Sequence, residues 1–199
     1  MSEHQRIRIT KQLLKDSLIK LLRKKSIHKI SVTELCKAAE VNRTTFYKYY
    51  GSPYALFDAI EQDVCNEIGR FLDNSSAAVA AVSPSSSIDA ILDVAVPYLT
   101  QVFTFINEHL ELGRLLLSGN MSPNFPEKLI LSLRNMPQSA KASLAEIYGE
   151  EHAEYAFEFM MSGCFAFIKK WVNEEHRKSP EEMANLLGTL TASLRGVGH

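Results

Sequence analysis

Cysteine is scarce in this chain. Cys36, Cys65 and Cys164 stand far apart with no CxxC spacing, a pattern that gives neither a disulfide framework nor a zinc-ligand set. Buried thiols are expected. No apolar run approaches the roughly 18 residues of a membrane-spanning helix. The start, MSEHQRIR, lacks the apolar segment of a secretory signal, so the expectation is a cytoplasmic protein with no membrane association. Alternating apolar and polar residues enriched in Val, Ile and Thr are missing, as is any long internal repeat, which argues against strands and solenoids. Also missing are the GxSxG elbow, the GxxxxGK[ST] phosphate loop and the GxGxxG turn.

Three acid-histidine clusters remain, at 108–111, 150–154 and 174–176. None has HExxH spacing, and adjacent residues on a helix diverge in direction, so a solvated charged face is the expectation for each. No catalytic residues, metal site or cofactor are expected, and the chain does not read as an enzyme.

What is present is an uneven distribution of charge. The formal net charge of −1 over 199 residues conceals a basic end: residues 1–50 hold 12 Lys and Arg against 4 Asp and Glu, and the remainder holds 10 against 19. A basic head on an acidic body suits a protein whose one end approaches a polyanion. The 46% hydrophobic content is ample for a buried core.

Periodicity predicts helix nearly throughout. Leu14, Leu18, Leu21 and Leu22 recur at i, i+4, i+7 and i+8, giving an amphipathic helix from about Thr10 to Lys24. Ser31-Val32-Thr33-Glu34 is a capping box that starts a short second helix, ending near Ala39. Asn42 caps a third over 43–49, and Ser52-Pro53 supplies a cap and a first-turn proline for a fourth. The Ser-rich stretch 73–87 reads as a loop or loosened helix end with a domain boundary near it. Beyond it, segments at about 87–117, 126–148, 151–176 and 181–196 read as helices. The predicted fold class is all-α, with about nine helices.

Two short helices joined by a tight turn within 32–49 form a helix-turn-helix plan, which presents the N-terminal part of the second helix to the major groove of double-stranded DNA. Arg43 stands where a guanidinium reaches guanine O6 and N7, and Thr44 and Thr45 can donate to bases or phosphates. Asn42 is a cap and a candidate phosphate ligand. Thr33 and Lys37 on the preceding helix, and Lys11 on the first, are placed for flanking phosphates. Phe46 and Tyr50 face the other way as scaffold.

The run I-S-V-T-E-L-C-K-A-A-E-V-N-R-T-T-F-Y-K-Y-Y, followed by P-Y-A-L-F, resembles the TetR family of bacterial transcriptional regulators, with the likeness covering residues 9–71. The resemblance implies an all-helical homodimer with a DNA-binding head, 1–52, and a body, 53–199, that binds a small-molecule effector and dimerises. It also implies that Tyr47 and Lys48 meet phosphates, and that repression relieved by effector is the commonest mode of action. Two departures stand out. The family's turn glycine is Glu40 here, and Pro53 replaces a lysine that commonly meets phosphate. These motivate an alternative reading: a regulator-like co-activator that docks on a partner protein and binds DNA weakly.

In the body, large soft side chains suit both a core and an adaptable pocket wall. Phe103, Phe125, Met160 and Cys164 are the pocket candidates, with His109 as a polar anchor. Gly163 permits close helix approach, and Leu186, Leu187, Leu190 and Leu194 form a stripe that wants a partner, so these five are the dimer-interface candidates.

Overall fold

A computed structural model describes residues 2–80, 87–117, 124–134 and 139–195, with the backbone alone described at 72–80, 88, 133–134, 139–143 and 194–195. Among the described residues are ten α-helices and one 3₁₀ turn, with no strand. The head holds α1 (Glu3–Leu22), the turn at Ile27–Lys29, α2 (Val32–Ala39) and α3 (Arg43–Tyr49). The body follows with α4 (Pro53–Ala80), α5 (Ile88–Glu108), α6 (Leu110–Leu117), α7 (Phe125–Arg134), α8 (Ser139–Tyr148), α9 (Glu150–Asn173) and α10 (Pro180–Arg195).

The head closes around the leucine stripe of α1. Leu14 and Leu18 are fully buried with Leu35 of α2, Phe46 of α3 and Leu56 of α4, each stabilising the fold by about 1.5–3 kcal/mol through apolar burial. Because Leu56, Phe57 and Ile60 of α4 join this core, α4 belongs to head and body at once. Lys15 of α1 pairs with Asp63 of α4, and Arg23 meets Glu111 of α6 at 3.2 Å.

The body is layered on α4. α5 lies between α4 and α10, α9 packs on α8 and α6, and α7 rests against α4. A Cβ added at Gly188 of α10 would lie 3.1 Å from Leu92 and 3.3 Å from Val96 of α5, so glycine lets these two helices approach closely. Trp171 fills the end of the body core. It meets Phe103 edge-on at 5.1 Å and donates from Nε1 to the Lys178 carbonyl at 2.9 Å.

The observed elements differ from expectation in several places. The first helix starts seven residues before the expected Thr10, because the Ser2 hydroxyl accepts from the Gln5 N–H at 3.3 Å and caps a polar opening. The stretch expected as a loop from residue 73 is helical to Ala80, where its alanines favour helix; residues 81–86 lie outside the described ones. The segment 87–117 divides at His109; within 126–148 the described helices are α7 to Arg134 and α8 from Ser139, and residues 135–138 lie outside the described ones. One helix, α5, is also long and apolar enough to cross a membrane by length and composition. It packs against α4 and α10. Finally, only half of the capping box at Ser31 forms: the Glu34 N–H donates to the Ser31 hydroxyl at 3.2 Å, but the Glu34 carboxylate accepts from Lys25 at 2.6 Å. A complete box forms at Ser179, whose backbone N–H donates to Glu182 at 2.8 Å while the Glu182 N–H returns to the Ser179 hydroxyl at 3.2 Å. The Ser179 backbone N–H, with the Ser179 hydroxyl second, holds the Glu182 carboxyl below its ordinary value.

Candidate nucleic-acid interface

The turn between α2 and α3 keeps its left-handed residue without a glycine. Glu40 sits at φ 54°, ψ 36°, and the Val41 N–H closes the end of α2 on the Cys36 carbonyl at 3.0 Å. A side chain at such an angle costs of order 1 kcal/mol, which the packing of Leu35, Ala39 and Phe46 beneath the turn offsets. Asn42 then leaves in extended geometry, and its side-chain oxygen accepts from the Thr44 N–H at 2.8 Å, starting α3.

Burial divides α3 into two faces. Phe46 is fully buried, and Tyr50 just beyond the helix lies 6.0 Å from it. Arg43, Thr44, Tyr47 and Lys48 are exposed, at the i, i+1, i+4 and i+5 spacing of one helix face. Thr45 is half-buried between the faces. Asn42 extends the exposed row, and Thr33 and Lys37, one turn apart on α2, are exposed as well. The structure thus brings the predicted DNA-contact residues to the outer side of the helix-turn-helix unit, with Thr45 the least accessible of them. Pro53 is buried at the start of α4, where the Ser52 hydroxyl caps the Ala55 N–H at 3.1 Å.

The basic side chains of the head fall into two groups. Lys15, Arg23 and Lys25 each meet a carboxylate, and all three tie helices or turns of the fold together. Among the described residues, no carboxylate lies within ion-pair distance of Arg8, Lys11, Lys37, Arg43 or Lys48. Arg43 is also close enough to Cys36 to act on its thiol, though burial dominates there and pushes the thiol up.

The candidate effector residues do not form one set. Phe103 is fully buried against Trp171 and Phe167, and Phe125 is buried 6.5 Å from Phe165. Met160 and Cys164, one turn apart on α9, are half-buried. His109 is exposed where α5 ends, with its ring against Phe105 at 4.8 Å, so it does not point into the interior as an anchor would.

The interface candidates also divide. Leu186 and Leu190 are exposed on α10, and Gly163 is exposed on α9 with nothing within 4 Å of an added Cβ. Leu187 is instead buried within the chain, and the Leu194 side chain lies outside the described residues. Sequence reasoning missed Tyr155 and Phe159 on α9, which are 76% and 69% exposed. Their signal is their spacing, since 155, 159, 163 and 166 share a face distinct from the buried face of Phe157, Trp171 and Val172. The acid-histidine clusters gather no group of three potential metal ligands among the described residues.

Two family models match the chain. One, described as bacterial regulatory proteins of the TetR family, covers residues 16–60, and the other, described as a transcriptional regulator C-terminal region, covers 95–193. The chain belongs to the TetR family of bacterial transcriptional regulators. It is 22% identical over 186 residues to the uncharacterized HTH-type transcriptional regulator YxbF of Bacillus subtilis, a match that takes in 92% of this chain and 44% of the relative. The chain therefore spans less than half the length of that curated relative. Among solved structures it shares its fold with a TetR regulator from Streptococcus agalactiae, at TM-score 0.62 and 18% identity over 94% of this chain and 96% of that one. A TetR-family regulator from Streptomyces coelicolor gives TM-score 0.63 at 14% identity, over 98% and 84% of the two chains. The dihydroxyacetone kinase operon activator DhaS gives 0.59 at 12%, over 96% and 98%.

Proposed function

We infer that this regulator acts in the cytoplasm as a homodimer that sets two copies of α3 into successive major grooves of a near-palindromic operator, and that a small-molecule effector releases it. The observation that carries the reading is the exposed row Arg43, Thr44, Tyr47 and Lys48, whose two cations have no carboxylate partner among the described residues. Arg43 is the base reader, Tyr47 and Lys48 are phosphate contacts, and Thr33, Lys37 and Asn42 position the head on the backbone. Dimerisation draws on Tyr155, Phe159 and Gly163 of α9 with Leu186 and Leu190 of α10, an outward apolar face that a second copy would cover.

An effector would enter between the helices of the body near Phe125, Met160 and Cys164. It must bind one separation of the heads better than the other, since equal affinity shifts nothing. Repression is our reading of the sign; DhaS, which shares the fold, is named as an operon activator. The co-activator alternative rests on Pro53, because Glu40 keeps the left-handed turn.

Footprinting on a fragment selected from random DNA tests the reading. Two protected half-sites about 34–36 Å apart, with two protomers per duplex, are expected. A single half-site, or binding without sequence preference, would favour docking on a protein partner.

A further inference from the structure

We propose that the effector of this regulator is an uncharged aromatic molecule, held among Phe125, Met160, Cys164 and Phe165 by ring edges and sulfur, with no ion pair. This rests on the reading that an effector enters the body near Phe125, Met160 and Cys164, and adds the chemical class that such a place accepts.

The interior sets the charge of the ligand. Among the described residues the buried side chains of α5 to α10 are apolar, from Ile91, Val102 and Phe103 to Trp171 and Val172. The buried polar residues are Ser17, which is in the head, and Glu61 of α4, which is tied to Lys128. Lys128 is the cation nearest Phe125 along α7, and it is shared between Glu61 and Asp58. Arg114 donates from Nε to the Val172 carbonyl at 2.8 Å and lies 3.6 Å from Glu111. Half-buried Glu158 on α9 already has a partner. Arg177 lies 6.0 Å from the centre of the Trp171 ring, and Trp171 itself is roughly 10 Å of helix rise beyond Cys164. An ion lodged beside Met160 and Cys164 would thus lose its hydration and meet no free countercharge, which disfavours it strongly against a neutral molecule of the same shape.

The wall sets the shape. Phe125 of α7 and Phe165 of α9 meet edge-on, with ring centres 6.5 Å apart and planes at 78°. A further ring extends such a pair by the same edge-to-face contact. Met160 and Cys164 stand one turn apart beside it, packed on the core yet half-buried, so part of each is not covered by protein. Thioether and thiol sulfur pack favourably against aromatic edges, and methionine adapts to the outline of what it touches. Burial pushes the Cys164 thiol up to about 11, so at neutral pH it presents an uncharged S–H to the ligand.

Three probes of one shape and different charge test this: 2-naphthylmethanol, 2-naphthoate and 2-naphthylmethylammonium, each titrated into the full chain at neutral pH. Melting temperature and release from the selected duplex are the readouts. The alcohol should bind at least about tenfold more tightly than either ion. Met160→Trp, which fills the same space, should remove its binding, and Cys164→Asp should turn the preference toward the ammonium. If Cys164→Asp does not fold, Met160→Trp and the ranking of the three probes decide the matter. Tighter binding of either ion, or binding of none of the three, would overturn the proposal. Binding of the alcohol that survives Met160→Trp and Cys164→Asp alike would instead remove the placement of the effector, and failure of the unliganded protein to bind the duplex would remove the DNA-binding reading without altering the melting shifts.

Discussion

The head and the body are incomplete in opposite ways. On the head the unsatisfied surface is cationic: Arg8, Lys11, Lys37, Arg43 and Lys48 stand exposed or half-exposed without a carboxylate among the described residues. On the body it is apolar, with Tyr155 and Phe159 of α9 and Leu186 and Leu190 of α10 facing outward. Each deficit names a different partner, because a row of cations is neutralised by a polyanion and an apolar helix face is covered by another apolar surface. Between them runs α4, whose Leu56, Phe57 and Ile60 join the head core while α7 and α5 pack against the same helix, α7 through Lys128 at Asp58 and Glu61.

The largest expected effect is on the apolar side. Phe159→Asp should weaken self-association at least about thirtyfold, the effect of losing an anchor worth about 2 kcal/mol. Sedimentation equilibrium would then show a species of 22.4 kDa; an unchanged dimer, or a monomer in the wild type, would mean that this apolar face is not where two copies meet. On the cationic side, Arg43→Ala should cost about 1–3 kcal/mol of discrimination between the selected site and a mutated one, measured by fluorescence anisotropy.

At the junction, Lys128 of α7 bonds the buried carboxylate of Glu61 on α4 and meets Asp58 at 3.2 Å. Lys128→Met leaves Glu61 without that partner and should destabilise the fold by about 1.5–3 kcal/mol in urea melts. The hydrogen bond to Glu61 raises the Lys128 pKa above 10.5. A raised folded-state pKa means that the stabilisation is complete below the ordinary lysine value and is lost as pH rises through the higher one. The gap between wild type and variant should therefore narrow above pH 10.5. The smallest effects lie in the turn. Asn42→Ala should lose about 1 kcal/mol with the cap, and Glu40→Gly should gain up to about 1 kcal/mol by relieving the left-handed backbone.

Much of the head was legible because its signals are local. Ser31, Asn42 and Ser52 each bond a backbone N–H two or three residues on, so the starts of α2, α3 and α4 could be read from a few neighbouring residues. Phe46 and Tyr50 were assignable as scaffold for the same reason, and the rest of the short α3 followed as an outer face. The body was less legible because the middle turns of α9, 155–168, carry large apolar side chains on more than one face. Composition marks Tyr155, Phe157, Phe159 and Phe165 alike; spacing sorts them into faces, and the packing of α8 and α6 decides which face is covered. Leu187 shows the same limit on α10, since its neighbour Leu186 is exposed while it turns inward. The carboxylate of Glu34 was misread because its partner, Lys25, is nine residues away rather than three.

The most direct test of the account is selection of bound fragments from randomised DNA by the purified protein at about 150 mM salt, with Arg43→Ala alongside. Wild type should recover a two-fold-symmetric site and Arg43→Ala should lose it. Equal recovery by both proteins, or no enrichment by wild type, would contradict the assignment of α3 as the element that reads DNA.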